Sequence, residues 1–190
     1  MKVYYMNGAG NDFMVIDGRG LTADYAAWAK ELCALRGADG FMAVDSSDIA
    51  DFRLHFYNSD GSRGEMCGNG ARCICRFAHD LGLAGETMTV QTDAGLVSGW
   101  HLSGEQYRIR LNTPTVAELN RVEDFTLACG TGCGSVAAAL WLQGRLPGGE
   151  LALQNRGGTL RVRVEGRDGR VTALYQEGPT EITEILDWEP

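Results

Sequence analysis

A chain of 190 residues with 44% hydrophobic and 22% charged side chains has the makeup of an ordinary globular protein and is long enough to bury a sizeable core. Its net charge of −8 and pI near 4.9 argue against nucleic acid or an anionic membrane as partner. No apolar run reaches membrane-spanning length and the first residues lack the apolar core of a secretory leader, so the expected location is the cytoplasm, with the six cysteines reduced.

Residues 1–6 and 13–17 are rich in β-branched and aromatic side chains, and the turn Asn7-Gly8-Ala9-Gly10-Asn11-Asp12 between them predicts a strand pair. Residues 21–35 predict a helix with Thr22 as N-cap, because Tyr25, Trp28, Ala29, Leu32 and Leu35 recur every three or four positions. Residues 41–44 form a short apolar strand, and residues 51–58 alternate Phe52, Leu54 and Phe56 against Arg53, His55 and Tyr57. The turn formers Asn58-Ser59-Asp60-Gly61-Ser62 then lead to Met66-Cys67-Gly68-Asn69-Gly70-Ala71-Arg72. In the helix that follows, residues 73–81, Cys73, Ile74, Phe77 and Leu81 are expected to pack inward, with Arg72, Arg76 and Asp80 in solvent. Strands at 87–91, 96–101 and 107–111 end at Asn112-Thr113-Pro114-Thr115, the expected boundary between an N-terminal lobe, 1–112, and a C-terminal lobe, 113–190. Beyond it come Ala128-Cys129-Gly130-Thr131-Gly132-Cys133, an apolar helix at 135–143, strands at 151–154, 160–165 and 171–175, and a closing edge strand at 184–190.

The second cysteine stretch repeats the first. In both, a cysteine precedes Gly-x-Gly and a helix; Gly82 then answers Gly144, Glu86 answers Glu150, and Gln91 with Gly95 answers Gln154 with Gly158. The fold expected is α/β: two pseudo-symmetric lobes, with one thiol on each side of a shared cleft. The copies are unequal. Sixty-six residues precede Cys67, whereas about fifteen separate Pro114 from Cys129, too few for a matching set of strands and a helix, so the second lobe is short or lacks an internal portion.

A glycine-rich turn opening a helix leaves backbone N–H groups unpaired and concentrates positive potential. Such a terminus holds a carboxylate and favours thiolate over thiol, so two of them suit proton abstraction beside a bound carboxylate. Cys33, Cys73, Cys75 and Cys133 read instead as small buried apolar residues. Asn11, Asn58 and Asn69 have turn formation as their plain alternative. His55, His79 and His101 look isolated, and Asp60, Glu65 and Asp124 look solvated. Neither Cys-x-x-Cys, nor a nucleophile elbow, nor a phosphate loop is present.

Four strings, Asn7 to Phe13, Phe56 to Ser62, Cys67 to Cys73 and Ala128 to Gly132, resemble the diaminopimelate epimerase family in sequence and in order. The resemblance implies two lobes, each a curved sheet wrapped round a central helix. It implies that Cys67 and Cys129 are acid/base thiols and that Asn11, Asn58 and Asn69 bind substrate, as does the backbone at Gly68, Asn69, Gly130 and Thr131. Epimerisation of LL- to meso-diaminopimelate would then need neither metal nor organic cofactor, only a thiol and a thiolate on opposite faces of the α-carbon. The family's Gly-Asn-Pro-His stretch, a further asparagine and its Glu-Arg-Gly motif are absent, and Arg121 to Thr126 resembles only the tail of the last. A racemase of another amino acid and a non-catalytic thiol or metal-binding relative are the alternatives. The oligomeric state is left open, a homodimer included.

Overall fold

The computed structural model of the chain describes residues 1–111, 130–155 and 157–190. Strands β1 (Lys2–Gly8) and β2 (Asn11–Asp17) form a hairpin closed by Ala9 and Gly10 at φ of 56° and 96°, the backbone that a two-residue turn between twisted strands requires. The turn is shorter than expected because Asn7 pairs with Asp12 and Gly8 with Asn11, drawing the polar residues into the ladder. Helix α1 (Tyr25–Arg36) also begins later than expected. Asp24, not Thr22, is its N-cap, accepting the Ala27 N–H at 3.1 Å, and Gly37 ends it in the left-handed region.

The helix α1 crosses to β3 (Gly40–Asp45), parallel to β2, and β4 (Phe52–Asn58) returns antiparallel. Helix α2 (Gly68–Asp80) crosses to β5 (Thr87–Thr92), parallel to β4, and a meander continues through β6 (Gly95–Ser103) and β7 (Gln106–Leu111). After α3 (Gly130–Leu142) comes a second meander, β8 (Glu150–Asn155), β9 (Gly158–Arg167) and β10 (Arg170–Pro179). The last strand, β11 (Glu181–Asp187), forms the edge beside β1. Among the described residues all eleven strands belong to one sheet, ordered β11-β1-β2-β3-β4-β5-β6-β7-β10-β9-β8.

Strand alternation sorts the apolar residues onto two faces. Met14, Ile16, Phe41 and Ala43 pack under α1 with Trp188, whereas Phe13, Val15, Met42 and Val44 face α2. Both faces are covered, which is why β3 reads as an unbroken apolar run.

The repeat survives in three dimensions. Helices α2 and α3 have thirteen residues each and start directly after Cys67 and Cys129. Gly82 and Gly144, the paired glycines behind them, share φ values of 68° and 70°. The two meanders join where β7 runs antiparallel to β10, as a twofold relation between the copies requires, and Arg108 pairs with Glu177 across that seam at 2.6 Å. Ala71, Ile74 and Phe77 of α2 share one core with Ala137 and Ala138 of α3 and Leu160, Val162 and Leu174 of the second meander. The sheet curls round these helices until distant turns touch: a Cβ on Gly157 would collide with the Ala9 carbonyl oxygen. The boundary expected at 112–115 lies outside the described residues.

Candidate active site

Cys67 stands immediately before α2 with extended backbone (φ −122°, ψ 125°), half-buried, and its side chain caps no helix N–H. Its carbonyl accepts the Ala71 N–H at 2.7 Å, which starts the helix. The first turn, Gly68, Asn69 and Gly70, is made of poor helix formers, so tertiary packing must hold it. A Cβ on Gly68 would lie 2.9 Å from Gln176 Oε1, and one on Gly70 would lie 3.2 Å from Met42 Sδ. From a third side Gly8 presses in: its Cβ would sit 2.8 Å from both the Asn69 carbonyl oxygen and Cys73 Sγ. The glycines are there because three strands close on one helix end.

A chain of side-chain hydrogen bonds runs through this packing. Asn11 Nδ2 donates to Asp39 Oδ2 at 3.0 Å, Asn69 Nδ2 donates to Asn11 Oδ1 at 2.7 Å, and Arg72 Nη2 donates to Asn69 Oδ1 at 2.9 Å. Arg72 Nη1 donates to Gln176 Oε1 on β10. A guanidinium has no acceptor and an ionised carboxylate no donor. With Arg72 at one end and Asp39 at the other, the orientation of both asparagine amides is set.

Arg72 was expected in solvent and is instead fully buried, with no carboxylate against it among the described residues. Its position is explained by spacing: Arg72 lies one turn beyond Asn69, on a helix whose first eight residues are buried all round. Desolvation lowers its pKa, and the surrounding thiols of Cys73, Cys67, Cys133 and Cys75 pull it back up. Leu81, expected inside, is 38% exposed just past the helix end.

Asn11 and Asn69 are therefore brought together. Asn58 is one strand away, exposed, donating through Nδ2 to Ser62 Oγ at 2.9 Å and through its backbone N–H to the Ser62 carbonyl at 2.8 Å. It builds its own turn, and that turn abuts the Asn11 anchor, because the Ser59 N–H donates to the Asp39 carbonyl at 3.1 Å. Cys129 lies outside the described residues, as do the Thr131 side chain and Asp124. Gly130 opens α3. The two helix starts converge on one side chain: a Cβ on Gly68 would lie 3.4 Å from Leu111 Cδ2, and a Cβ on Gly134 would lie 2.9 Å from Leu111 Cδ1.

The remaining described thiols are buried. Burial pushes Cys33, Cys73 and Cys75 up to about 12, the chemistry of inert core residues. Cys133 packs beside Asn155, whose Nδ2 lies 3.8 Å from its sulfur. Two histidines are not isolated as expected: the rings of His79 and His101 are 4.5 Å apart and both face Glu86. Neither is near in sequence to the other, so only the tertiary fold reveals the group. Arg72, Gln176 and Asp39 were missed for a similar reason, since nothing in a single strand or helix pattern tells a buried polar chain from a solvated face.

The curved sheet wrapped round two helices is a fold shared with several solved structures. The Bacillus anthracis phenazine biosynthesis protein of the PhzF family superposes with a TM-score of 0.78 at 14% identity, covering 100% of this chain and 99% of that one. A probable proline racemase from Agrobacterium radiobacter gives 0.76 at 11% identity, covering 99% and 92%. Those identities speak for the fold alone. In sequence, residues 3–117, more than half the chain, match the family model for diaminopimelate epimerase, and the chain belongs to that family. The diaminopimelate epimerase of Caldanaerobacter subterraneus is 42% identical over 102 residues, 51% of this chain and 36% of that protein. The one from Flavobacterium psychrophilum is 26% identical over 249 aligned residues, 95% of this chain and 97% of that protein. The chain thus spans about a third of the first relative's length, and the second alignment is longer than the whole chain, so part of that relative has no counterpart here. Among the described residues no helix is long and apolar enough to cross a membrane.

Proposed function

We propose that the chain epimerises a free amino acid, LL-diaminopimelate to its meso form, by two-base proton transfer between Cys67 and Cys129. The observation that carries this reading is the meeting of the two repeated helix starts on Leu111, each directly following a cysteine. A thiolate on one face of the α-carbon takes the proton as a thiol on the other delivers one. The two sulfurs end with their protonation states exchanged, ready for the opposite isomer. The positive dipole ends at both helix N-termini receive the substrate carboxylate and stabilise the carbanion-like charge that develops beside it. The buried Arg72 adds a fixed positive charge near Cys67, favouring its thiolate. Asn11 and Asn69 bind substrate polar groups in the orientation that Arg72 and Asp39 impose, and Asn58 borders them.

The choice of diaminopimelate rests on the sequence relatives, including a third, from Aquifex aeolicus, that is 34% identical over 135 residues. A racemase acting on another amino acid is the second reading. It is favoured by the absence of the family's Gly-Asn-Pro-His and Glu-Arg-Gly strings and by a structural neighbour described as a hydroxyproline epimerase with bound trans-4-hydroxy-L-proline. Incubating the chain with LL-diaminopimelate, and separately with proline and hydroxyproline, followed by chiral chromatography, separates the readings. Conversion of diaminopimelate alone is expected; conversion of a cyclic imino acid alone supports the second reading, and conversion of none overturns both.

A further inference from the structure

His79, Glu86 and His101 come from three successive parts of the chain, the last turn of α2, the approach to β5, and β6. One ligand atom from each lies within 4.8 Å of the other two. We propose that this group binds a divalent transition ion of the zinc type, through His79 Nε2, His101 Nδ1 and a Glu86 carboxylate oxygen.

The outer contacts orient both rings for this. His101 Nε2 lies 3.0 Å from the Gly104 carbonyl oxygen, an acceptor only, so it carries a hydrogen and leaves Nδ1 pointing at Glu86 Oε2, 2.9 Å away. His79 Nδ1 lies 3.3 Å from the Tyr107 hydroxyl, leaving Nε2 toward Glu86 Oε1 at 3.7 Å. A ring held through its far nitrogen by a backbone carbonyl, as His101 is, has the tautomer of a metal-binding histidine fixed, and the Tyr107 hydroxyl, which can accept, is compatible with the same tautomer at His79.

His101 gives a second reason. Both of its ring nitrogens face acceptor-only oxygens, and both contacts are hydrogen bonds only when both nitrogens carry protons. A divalent ion in place of the Nδ1 proton satisfies the same carboxylate and neutralises it more fully. The group also sits at the C-terminal end of α2, the negative end of the helix dipole, which favours a cation. Zinc bonds of about 2.0–2.1 Å place neighbouring ligand atoms about 3.4 Å apart. Glu86, whose side chain is 72% exposed, has the freedom to bring its oxygens to that spacing. Residues 67 and 79 are about 18 Å apart along the helix at about 1.5 Å per residue. The ion therefore clasps the far end of α2 to the meander and takes no part in the proton transfer.

The test is a calorimetric titration of zinc chloride into the full reduced chain, repeated with cobalt(II) followed by its visible absorption. One equivalent should bind, with a rise in the thermal midpoint. His79→Ala and His101→Ala should each weaken binding at least tenfold and abolish that rise, while Cys67→Ser leaves both unchanged and cobalt shows no thiolate charge-transfer band. Glu86→Gln, at a position whose side chain is 72% exposed, should weaken binding severalfold. Failure to saturate at millimolar zinc, unchanged binding in both histidine variants or in Glu86→Gln, or loss of binding in Cys67→Ser overturns the proposal.

Discussion

The most consequential single residue outside the cysteine pair is Arg72. Its planar fork reaches Asn69 Oδ1 and Gln176 Oε1 together, which a lysine ammonium, a point donor on a flexible stem, does not reproduce. Arg72→Lys should retain the native circular dichroism but lower kcat/KM for epimerisation by about tenfold or more, about 1.4 kcal/mol of transition-state stabilisation. Equal turnover in the variant would show that the asparagine orientation does not depend on the guanidinium. The thiols allow a second check. With Cys33, Cys73 and Cys75 buried and pushed up to about 12, a thiol reagent applied to the native chain near neutral pH should modify half-buried Cys67 and spare these three, as peptide mass mapping would read.

At the scale of elements, the glycine contacts make a prediction about α2. Gly8→Ala places a methyl 2.8 Å from the Asn69 carbonyl and Cys73 Sγ, both fixed in a core, so the helix start must shift. A loss of about 1–3 kcal/mol is expected from the urea midpoint, with a fall in activity because Cys67 and Asn69 move with that turn. The strands were legible because their apolar residues alternate or, in β3, run unbroken, and the two cysteine helices because the repeat gives each a glycine-rich start. The N-cap of α1 was not. Thr22 and Asp24 are both good caps by composition, and only the hydrogen bond to the Ala27 N–H distinguishes them. Arg72 was misread for the opposite reason, since helical spacing places it correctly but carries no sign that the polar side of α2 is covered by β10. Asn58 was legible as a turn former, and its bonds to Ser62 account for that reading.

At the scale of the whole molecule, the described residues form one sheet curled around two related helices, and the buried thiols and the Arg72 chain share that interior. Cys33, Cys73 and Cys75 rise from 9.0 to about 12 on folding, each because burial disfavours the thiolate. Folding therefore holds these protons more tightly than the unfolded chain does. Their contribution is intact below about pH 9 and is lost as pH rises from there toward 12, where the unfolded chain ionises first. Tyr107, raised chiefly by burial, acts in the same direction. Denaturation midpoints measured from pH 7 to 11 should fall steeply above 9, and a flat profile would contradict the burial of these groups.

The central claim, that two sulfurs address one α-carbon from opposite faces, is tested most directly by proton exchange in deuterated water. With LL-diaminopimelate as substrate, deuterium should enter the meso product ahead of recovered substrate, and both Cys67→Ser and Cys129→Ser should slow interconversion by about 100-fold or more. Wild-type interconversion in either serine variant, or deuterium appearing first in the unconverted LL isomer, would contradict the account.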